Sequence, residues 1–313
     1  MSFHVAITGA TGFIGAAVLA ELLAGGSQVT VLLRPDSNRK RLATQKGFET
    51  LEYSRPADST TARALGERKP DIFINCAWRG VGGRERNEAF QITDNLPATL
   101  AAVELAAASG CRQWIGLGSQ AEYGNQNCRM DEHADLRPTT IYGKAKLAAG
   151  VAALGLCDAR KIAGAWLRIF STYGPDDAPH WFIPYVIAEF LAGRAPKLTK
   201  CEQLWDYLYV ADAARAVSAT ANGTTIGAFN LGSGCSRPLR DYIEAIRREV
   251  GCSLEPEYGA VPYRPDQVMH LEADITSLAT ATGWRPATDL AEGIRATVAF
   301  ERKRAALAVG GTD

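Results

Sequence analysis

The feature that most constrains the fold is a glycine-rich segment near the start of the chain, Gly9-Ala-Thr-Gly12-Phe-Ile-Gly15. It separates a short apolar run, 3–8, from a segment, 13–24, whose apolar residues recur at helical spacing. The first two glycines allow a tight turn and a close approach of a pyrophosphate, and the third allows the helix to pack near the sheet. Because the helix N-terminus then faces the phosphates, the segment predicts a dinucleotide-binding loop.

Short strand-like runs alternate with helical segments along the chain as far as Tyr173. Further strands are predicted at 28–33, 48–53, 71–76, 113–117 and 163–170, and further helices at 95–109 and 138–156. Strands that alternate with helices of this length form β-α-β units, whose strands pair in parallel. We therefore expect an α/β fold over residues 1–173, a Rossmann-like doubly wound parallel sheet that forms the dinucleotide-binding domain.

The alternation breaks at the turn sequence Gly174-Pro-Asp-Asp177. Beyond it we expect helices at 181–193, 239–250 and 290–305, a strand-to-helix unit at 208–220 and a strand at 228–231. Residues 174–313 are therefore predicted to form a smaller, partly interleaved C-terminal α/β substrate domain. The segment 206–227 is expected to return to the dinucleotide-binding domain.

Charge and composition argue against some classes of protein. The 34 lysines and arginines balance the 34 aspartates and glutamates, so we expect neither a nucleic-acid partner nor a membrane surface. The chain lacks an apolar run of about 18 residues, which a membrane-spanning helix needs. The seven cysteines form no Cys-x-x-Cys pair and the four histidines are scattered, so we expect reduced thiols, a cytoplasmic location and no metal site.

A tyrosine and a lysine in Tyr142-Gly-Lys-Ala-Lys146 form the clearest reactive pair. Residues four apart project from the same face of a helix. The cation favours phenolate, so the pKa of the tyrosine moves from about 10 towards working pH. Ser119 precedes the pair in Gly-Ser-Gln-Ala-Glu-Tyr-Gly. Together with the glycine loop, the pair predicts a proton donor and acceptor beside a dinucleotide.

The residues after the second predicted strand bear on the choice of cofactor. An acidic residue there binds the ribose hydroxyls of NAD, whereas arginine suits the 2′-phosphate of NADP. This chain has Arg34, followed by the basic run 39–41, and the nearest acid is Asp36. A guanidinium binds phosphate with two hydrogen bonds. NADP(H) is therefore favoured and NAD(H) remains possible, since a solvated basic turn would have the same sequence.

Further motifs occur in order along the chain: Asn75-Cys-Ala77, Asn95, Tyr123-Gly124 after Ser119, Arg168 to Pro175, Asp206 to Asp212, Asn230 to Gly234, Tyr263 to Asp266 and Gly283 to Pro286. With the glycine loop and the Tyr142/Lys146 pair, they resemble the extended short-chain dehydrogenase/reductase family. The resemblance is to its nucleotide-sugar epimerase, dehydratase and ketoreductase branch, and it covers nearly the whole chain.

The resemblance implies a role for each of three residues. Tyr142 exchanges a proton with the substrate oxygen while hydride moves to or from nicotinamide C4, Lys146 binds the nicotinamide ribose and polarises Tyr142, and Ser119 hydrogen-bonds the reacting oxygen. The implied cofactor contacts are Gly9, Thr11, Gly12, Phe13, Ile14, Gly15, Arg34, Arg39, Asp58, Cys76, Ala77, Asn95, Tyr142 and Lys146. Asn95 has a second interpretation, since asparagine at a helix N-terminus is commonly a cap.

Some positions depart from the family pattern. The sugar 4,6-dehydratases carry an acidic pair where this chain has Gln120 and Ala121, and only Glu122 is acidic, so dehydration is disfavoured. An asparagine common in the family is Ser171 here, and an arginine is Trp205. The second change removes one expected diphosphate or nucleotide contact.

Candidate substrate contacts come from the loops expected to line the pocket: Trp78, Arg79, Ser119, Gln120, Glu122, Ser171, His180, Trp181 and Arg264. Arginines suit a negatively charged substrate, and aromatic rings stack on a sugar or a base. The alternatives are solvated surface arginines, an ordinary loop histidine at His180 and a core residue at Trp181.

Three functions follow in order of preference. The first is NADP(H)-dependent reduction of a nucleotide-linked 4-keto-6-deoxy sugar. The second is a nucleotide-sugar epimerase that retains its NAD(P), and the third is a non-enzymatic dinucleotide-binding protein. The resemblance also implies a homodimer, with alanine-rich helices at 96–108 and 145–156 facing each other across a two-fold axis; otherwise these helices cover only the sheet of their own subunit.

Overall fold

The computed structural model describes residues 3–54, 59–221 and 225–310. The first half contains β1 (His4–Thr8), α1 (Phe13–Ala24), β2 (Gln28–Leu33), β3 (Glu49–Glu52), α2 (Ser59–Gly66), β4 (Ile72–Asn75), α3 (Leu96–Ala108), β5 (Gln113–Ser119), β6 (Cys128–Met130), α4 (Ile141–Ala159) and β7 (Ala163–Ile169). The second half contains β8 (Ser171–Tyr173), α5 (Phe182–Leu191), β9 (Lys197–Leu198), β10 (Leu204–Trp205), β11 (Tyr207–Tyr209), α6 (Val210–Thr220), β12 (Gly227–Leu231), β13 (Arg237–Pro238), α7 (Leu239–Val250), β14 (Glu257–Tyr258), β15 (His270–Ala273), α8 (Thr276–Thr282) and α9 (Leu290–Gly310).

A seven-stranded parallel sheet forms the centre of the molecule, in the order β12-β7-β5-β4-β1-β2-β3. The chain builds outward from β1 through β2 and β3, then crosses over to β4 and builds in the opposite direction. The carboxyl ends of β1 and β4 therefore border the crevice where a doubly wound sheet binds its ligand. The predicted α/β, Rossmann-like fold is confirmed.

Helices cover both faces of this sheet, which explains why its strands are apolar throughout. One face packs against α1 and α6, and the other against α3 and α4. On the second face the Trp114 and Trp166 rings stack with centroids 6.2 Å apart. A Cβ at Gly116 would lie 2.2 Å from the Trp114 ring, and one at Gly150 would lie 2.6 Å from the Trp166 ring. The two indoles therefore need both glycines.

The C-terminal part packs α5, α7 and α9 around a third core that includes Ile187, Ile243 and Val298. A smaller sheet has the order β13-β10-β15-β6, and β8 pairs in parallel with β11. No helix within the described residues is long and apolar enough to cross a membrane.

The two parts exchange strands at two places. β12 is hydrogen-bonded to β7 of the large sheet, so the return to this sheet extends to Leu231, beyond the expected segment 206–227. β6, from the first half, pairs with β15 of the smaller sheet. The division at residue 173 into two domains stays a prediction.

Two helix starts also differ from expectation: α3 begins after a π-helical turn at Gln91–Asn95, and α4 begins at Ile141.

Candidate active site

The glycine loop follows β1 and leads directly into α1. Gly9 has a φ of +73°, and a Cβ there would lie 2.5 Å from the Ala77 backbone nitrogen, so the loop lies against the end of β4. A Cβ at Gly15 would lie 2.2 Å from the Gly9 carbonyl oxygen. No side chain within the described residues caps α1 at Gly12, and the first N–H groups of the helix are available to an anion. These residues fit the pyrophosphate of a dinucleotide.

The other predicted residues of the loop have different surroundings. Thr11 and Phe13 are half-buried in the loop, whereas Ile14 packs against the hydrophobic core. Arg41 donates from Nη1 to the Thr11 carbonyl oxygen at 3.2 Å and pairs through Nε with Asp176 at 2.8 Å. Arg41 therefore links the glycine loop to the turn that follows β8.

The basic segment after β2 offers one accessible arginine. The Arg34 side chain is 57% exposed, and its Nε lies 3.7 Å from the Asp36 carboxylate, so a ligand can reach it. Arg39 forms an ion pair with Glu52 of β3 through one nitrogen, and its predicted cofactor contact stays a prediction. Asp58, another expected cofactor contact, lies outside the described residues.

The first turn of α4 brings Tyr142 and Lys146 to the end of β5. The Thr140 hydroxyl accepts a hydrogen bond from the Gly143 N–H at 3.1 Å and caps the helix. A Cβ at Gly143 would lie 2.4 Å from the Ala121 carbonyl oxygen, so glycine permits this close approach. Tyr142 and Lys146 share one helix face and are 6% and 4% exposed.

Lys146 is held at the bottom of the site. Its Nζ donates to the Leu117 carbonyl oxygen at 2.6 Å and lies 3.7 Å from the centroid of the Trp78 ring. Burial lowers the pKa of Lys146 to about 7, against the opposing effects of Glu122 and Cys76. The amine therefore changes its charge within the working pH range of an ordinary enzyme.

Tyr142 has a mixed electrostatic environment. Burial raises the pKa of the phenol above its ordinary value, although a hydrogen bond with Ser119 and the charge of Arg86 lower it in part. The predicted shift of this pKa towards working pH is therefore wrong. The Arg86 guanidinium lies 4.5 Å from the centroid of the Tyr142 ring. Trp78 meets the same ring edge-on with centroids 6.1 Å apart. Ser119, Tyr142 and Lys146 therefore come together where β5 ends.

Residues 5–232 match the NAD dependent epimerase/dehydratase family. The chain belongs to this family. The predicted resemblance to extended short-chain dehydrogenases/reductases is thereby confirmed, and so is the prediction of an enzyme. Members bind a nicotinamide dinucleotide, which agrees with the glycine loop. The non-enzymatic alternative is wrong.

Known proteins similar to this chain act on nucleotide sugars. UDP-glucose 4-epimerase of Mycolicibacterium smegmatis is 29% identical, and the match covers 95% of this chain and 98% of that protein. The dTDP-6-deoxy-L-talose 4-dehydrogenase (NAD(P)(+)) of Kitasatospora kifunensis is also 29% identical, over 93% of each chain. The structure of UDP-glucose 4-epimerase from Thermus thermophilus in complex with NAD has a TM-score of 0.78 and 25% identity, over 96% of this chain and 99% of that one.

The carboxylate of Glu122, a predicted substrate contact, is bound by groups of the protein itself. It is 0% exposed. Its Oε1 accepts from the Ser119 N–H at 2.8 Å and from the Trp166 Nε1–H at 3.0 Å, and its Oε2 accepts from Arg168 Nε at 2.9 Å. Glu122 is the buried counter-ion of Arg168 and fixes the end of β5.

Gln120, at the start of the same turn, is half-buried, and its predicted substrate contact stays a prediction.

Arg79 and Asn95 also contact groups of the protein itself. The Arg79 guanidinium lies 3.8 Å from the Phe90 ring centroid and 3.4 Å from the Asp94 carboxylate, and its predicted substrate contact stays a prediction. The Asn95 amide accepts from the Arg79 N–H and donates to the Arg79 carbonyl oxygen and to Gln91. Asn95 therefore fixes the loop after β4, and it neither caps α3 nor presents a free amide to a cofactor.

The remaining predicted substrate residues lie on loops around the crevice. His180 and Trp181 precede α5 with ring centroids 5.1 Å apart, and a Cβ at Gly82 would lie 3.3 Å from the Trp181 ring. Trp181 is 36% exposed and is therefore not a core residue. Arg264 is exposed, and its charge acts on Arg86. The substrate roles of these residues stay predictions.

The two departures from the family pattern in the substrate half are in direct contact. The Trp205 Nε1–H donates to the Ser171 hydroxyl at 2.7 Å. An indole and a hydroxyl therefore bond to each other where the family pattern has an arginine and an asparagine. The nucleotide end of the predicted pocket therefore lacks the arginine that the family pattern has there.

Sequence reasoning missed Arg86. The available signal was the three arginines of the loop after β4, at 79, 84 and 86, of which only Arg79 was selected because it directly follows the strand motif. In the structure Arg79 contacts Phe90 and Asp94, whereas Arg86 contacts Tyr142. The conformation of the loop decides which arginine enters the site.

Proposed function

We propose that this protein catalyses the NADP(H)-dependent reduction of a nucleotide-linked 4-keto-6-deoxy sugar. The observation that carries the proposal is the convergence of Ser119, Tyr142 and Lys146 at the crevice beside the glycine loop. Arg34 at the end of β2 favours NADP(H), because it is exposed and only loosely paired.

In this reaction each residue has a defined task. The bound nicotinamide supplies the hydride that the C4 carbonyl carbon of the sugar receives. Tyr142 gives its phenolic proton to the carbonyl oxygen, so the ketone becomes an alcohol and the tyrosine a phenolate. Ser119 donates a hydrogen bond to the same oxygen, and the buried Lys146 stabilises the negative charge left on Tyr142.

Dehydration does not fit the residues next to Ser119. Gln120 and Ala121 cannot act as an acid and a base at C5 and C6 of a sugar, and the carboxylate of Glu122 is buried against Arg168. The chemistry of the site is therefore limited to oxidation and reduction at one carbon. The Kitasatospora relative supports this choice, because the reverse of a 4-dehydrogenase reaction is the reduction of a 4-ketone.

The nucleotide end of the substrate has cationic and aromatic residues available. We assign the diphosphate to Arg264, and sugar or base stacking to Trp78, His180 and Trp181, which surround the same crevice. The protein would act as a cytoplasmic homodimer, as the family resemblance implies.

A second candidate is a nucleotide-sugar 4-epimerase that retains its NAD(P). The Mycolicibacterium relative and the Thermus structure with NAD favour it. The same three residues suit it, because Tyr142 would take the proton of the C4 hydroxyl while the C4 hydride passes to the nicotinamide. The hydride would then return to the opposite face of C4, and Tyr142 would return the proton to the C4 oxygen.

The test is to mix the purified protein with NADPH or NADH and dTDP-4-keto-6-deoxyglucose and to follow nicotinamide absorbance. Reduction predicts stoichiometric loss of NADPH absorbance with a preference over NADH. The control is Tyr142→Phe, which removes only the hydroxyl and should slow turnover by about 10²- to 10⁴-fold. Conversion of UDP-glucose to its C4 epimer with no net change in absorbance would instead support the epimerase function.

A further inference from the structure

Arg86 reaches the proposed active site from a separate element. It belongs to a 3₁₀ turn at Gly83–Asn87 in the loop between β4 and α3. Its Cζ lies 4.5 Å from the centroid of the Tyr142 ring, and its nearest backbone acceptor is the Val81 carbonyl oxygen at 3.5 Å. Within the described residues no carboxylate lies within 4.0 Å of its guanidinium. The positive charge is therefore directed at the tyrosine and is not neutralised by a carboxylate.

The lysine of the site is farther from the tyrosine than this arginine. Lys146 Nζ lies 6.0 Å from the Tyr142 ring centroid, and its proton is donated to the Leu117 carbonyl oxygen at 2.6 Å. The same ammonium faces the Trp78 ring at 3.7 Å. Lys146 is thus held by other groups, and Arg86 is the nearer of the two cations.

The other charged and titratable groups around Tyr142 do not replace Arg86. Glu122, from the turn after β5, raises the pKa of the phenol, but its own carboxylate is paired with Arg168. Cys76, after β4, acts on Lys146, and burial raises the pKa of its thiol to about 12. Arg264 acts on Arg86. Among these groups only Arg86 contacts the Tyr142 ring.

We propose that Arg86 is a positioning residue of the proton-transfer site: its guanidinium, seated against the Tyr142 ring, stabilises the phenolate that forms when Tyr142 gives up its proton. The role deepens the proposed function, because it assigns the charge that supports the acid of that reaction. Arg86 would have the same role in an epimerase, since both reactions pass through a Tyr142 phenolate.

A fixed charge has an advantage over the lysine alone. A guanidinium stays protonated at any working pH, whereas the buried Lys146 has a pKa of about 7. When the phenolic proton passes to the substrate oxygen, the phenolate electron pair stays on Tyr142, next to Arg86. Attraction between the two charges in a half-buried site makes the phenol a stronger acid. Arg86 therefore opposes the effect of burial on the pKa of Tyr142 even when Lys146 is neutral.

The test measures Tyr142 directly and needs neither cofactor nor substrate. The full chain is produced with a ring-fluorinated tyrosine, whose phenol is more acidic than that of tyrosine, and titrated by fluorine NMR. The Tyr142 resonance is identified by its loss in Tyr142→Phe. Arg86→Gln and Arg86→Met remove the charge, and Met keeps an apolar stem on the ring if Gln disturbs the fold. Arg84→Gln, an exposed residue of the same turn, is the matched control.

Removal of the charge should raise the Tyr142 titration midpoint by about one pH unit or more. Arg86→Lys should restore part of the shift, and Arg84→Gln should leave the midpoint unchanged. Midpoints of Arg86→Gln and Arg86→Met equal to that of the unsubstituted protein would overturn the proposal. Because this titration uses no substrate, its result is independent of whether the keto-sugar is reduced.

Turnover provides the second readout, with whichever of the two candidate substrates is active. Arg86→Met should lower kcat by about 10-fold at constant KM and move the pH dependence of kcat upward. A higher KM with an unchanged kcat would make Arg86 a substrate contact and contradict the positioning role.

Discussion

Lys146 combines a charge with almost complete burial. It is 4% exposed, and the Leu117 carbonyl accepts one of its protons at 2.6 Å, while the Trp78 face contributes the other favourable contact. An ammonium has three donors and loses most of its hydration at such a site. Burial therefore lowers the pKa of Lys146 to about 7.

This shift predicts a pH-dependent cost for folding. In the unfolded chain the amine titrates near 10.4, and in the fold near 7, so between these values the unfolded chain binds more protons. The free energy of unfolding should rise with pH across this window. The free energy of unfolding of Lys146→Met should lack the part of this rise that comes from Lys146. The difference between Lys146→Met and the unsubstituted protein should therefore favour the variant most at pH 7 and should decline towards pH 9.5.

Urea unfolding between pH 7 and 9.5 measures this difference. Lys144→Met is the control, because Lys144 lies in the same helix and is exposed. Parallel stability curves for the unsubstituted protein and Lys146→Met would contradict the lowered pKa.

We expect the choice of cofactor to depend on Arg34. Because its guanidinium is exposed and 3.7 Å from Asp36, it is available to the 2′-phosphate of NADP. Arg34→Asp should weaken NADPH binding relative to NADH by about 10- to 100-fold, the value of a lost charge-assisted bond. Fluorescence titration of the protein with each dinucleotide gives the two dissociation constants and their ratio.

Arg39→Gln provides the control for this ratio, since Arg39 is already paired with Glu52. It should change the NADPH/NADH ratio little. An unchanged ratio in Arg34→Asp, or an equal loss in Arg39→Gln, would contradict the assignment of Arg34 to the phosphate.

At the scale of elements, one buried carboxylate joins three segments. Asp206, between β10 and β11, accepts from the N–H groups of Ser233, Gly234 and Ala273 at 2.7, 3.1 and 3.0 Å. It is 0% exposed. The loop after β12 and the end of β15 are therefore held to the strands beside the substrate pocket.

Loss of this carboxylate should destabilise the protein strongly. Asp206→Ala leaves three N–H groups without their acceptor, one on the buried Ala273 and two on the half-buried Ser233 and Gly234. It should lower the free energy of unfolding by about 3 kcal/mol. Asp158→Ala, an exposed residue of α4, should change it by about 0.5 kcal/mol or less. Equal denaturant midpoints for the two variants would contradict the role of Asp206.

Elements were more predictable from sequence than side-chain positions. β1, β4 and β5 are apolar because both faces of the sheet are covered, and glycines mark the turns, so local patterns suffice. The two-residue strands β9, β10, β13 and β14 are too short to show a period.

Side-chain positions in the site depend on long-range contacts. Glu122 and Arg86 illustrate the limit. Glu122 turns inward because Arg168 and Trp166 of the neighbouring strand bind it. Arg86 turns towards Tyr142 because of the conformation of a loop between β4 and α3. Neither contact is encoded in the residues next to them in sequence.

At the scale of the molecule, the outer surface formed by α3 and α4 contains many small and apolar residues. Along α4, Ala148, Val151, Ala152 and Gly155 are exposed, and the Val151 side chain has 65% of its surface accessible. Short side chains allow two helices to approach closely. The catalytic Tyr142 and Lys146 are on the opposite face of the same helix.

We therefore expect a homodimer in which α3 and α4 of two subunits face each other across a two-fold axis. Sedimentation should give a mass twice the 33.6 kDa of one chain. Val151→Glu places like charges from both subunits at this surface and should shift the equilibrium to monomer. Leu307→Glu changes another exposed apolar residue, 79% accessible on α9, and should leave the dimer intact. A monomer in the unsubstituted protein, or a dimer unaffected by Val151→Glu, would mean that these helices cover only their own sheet.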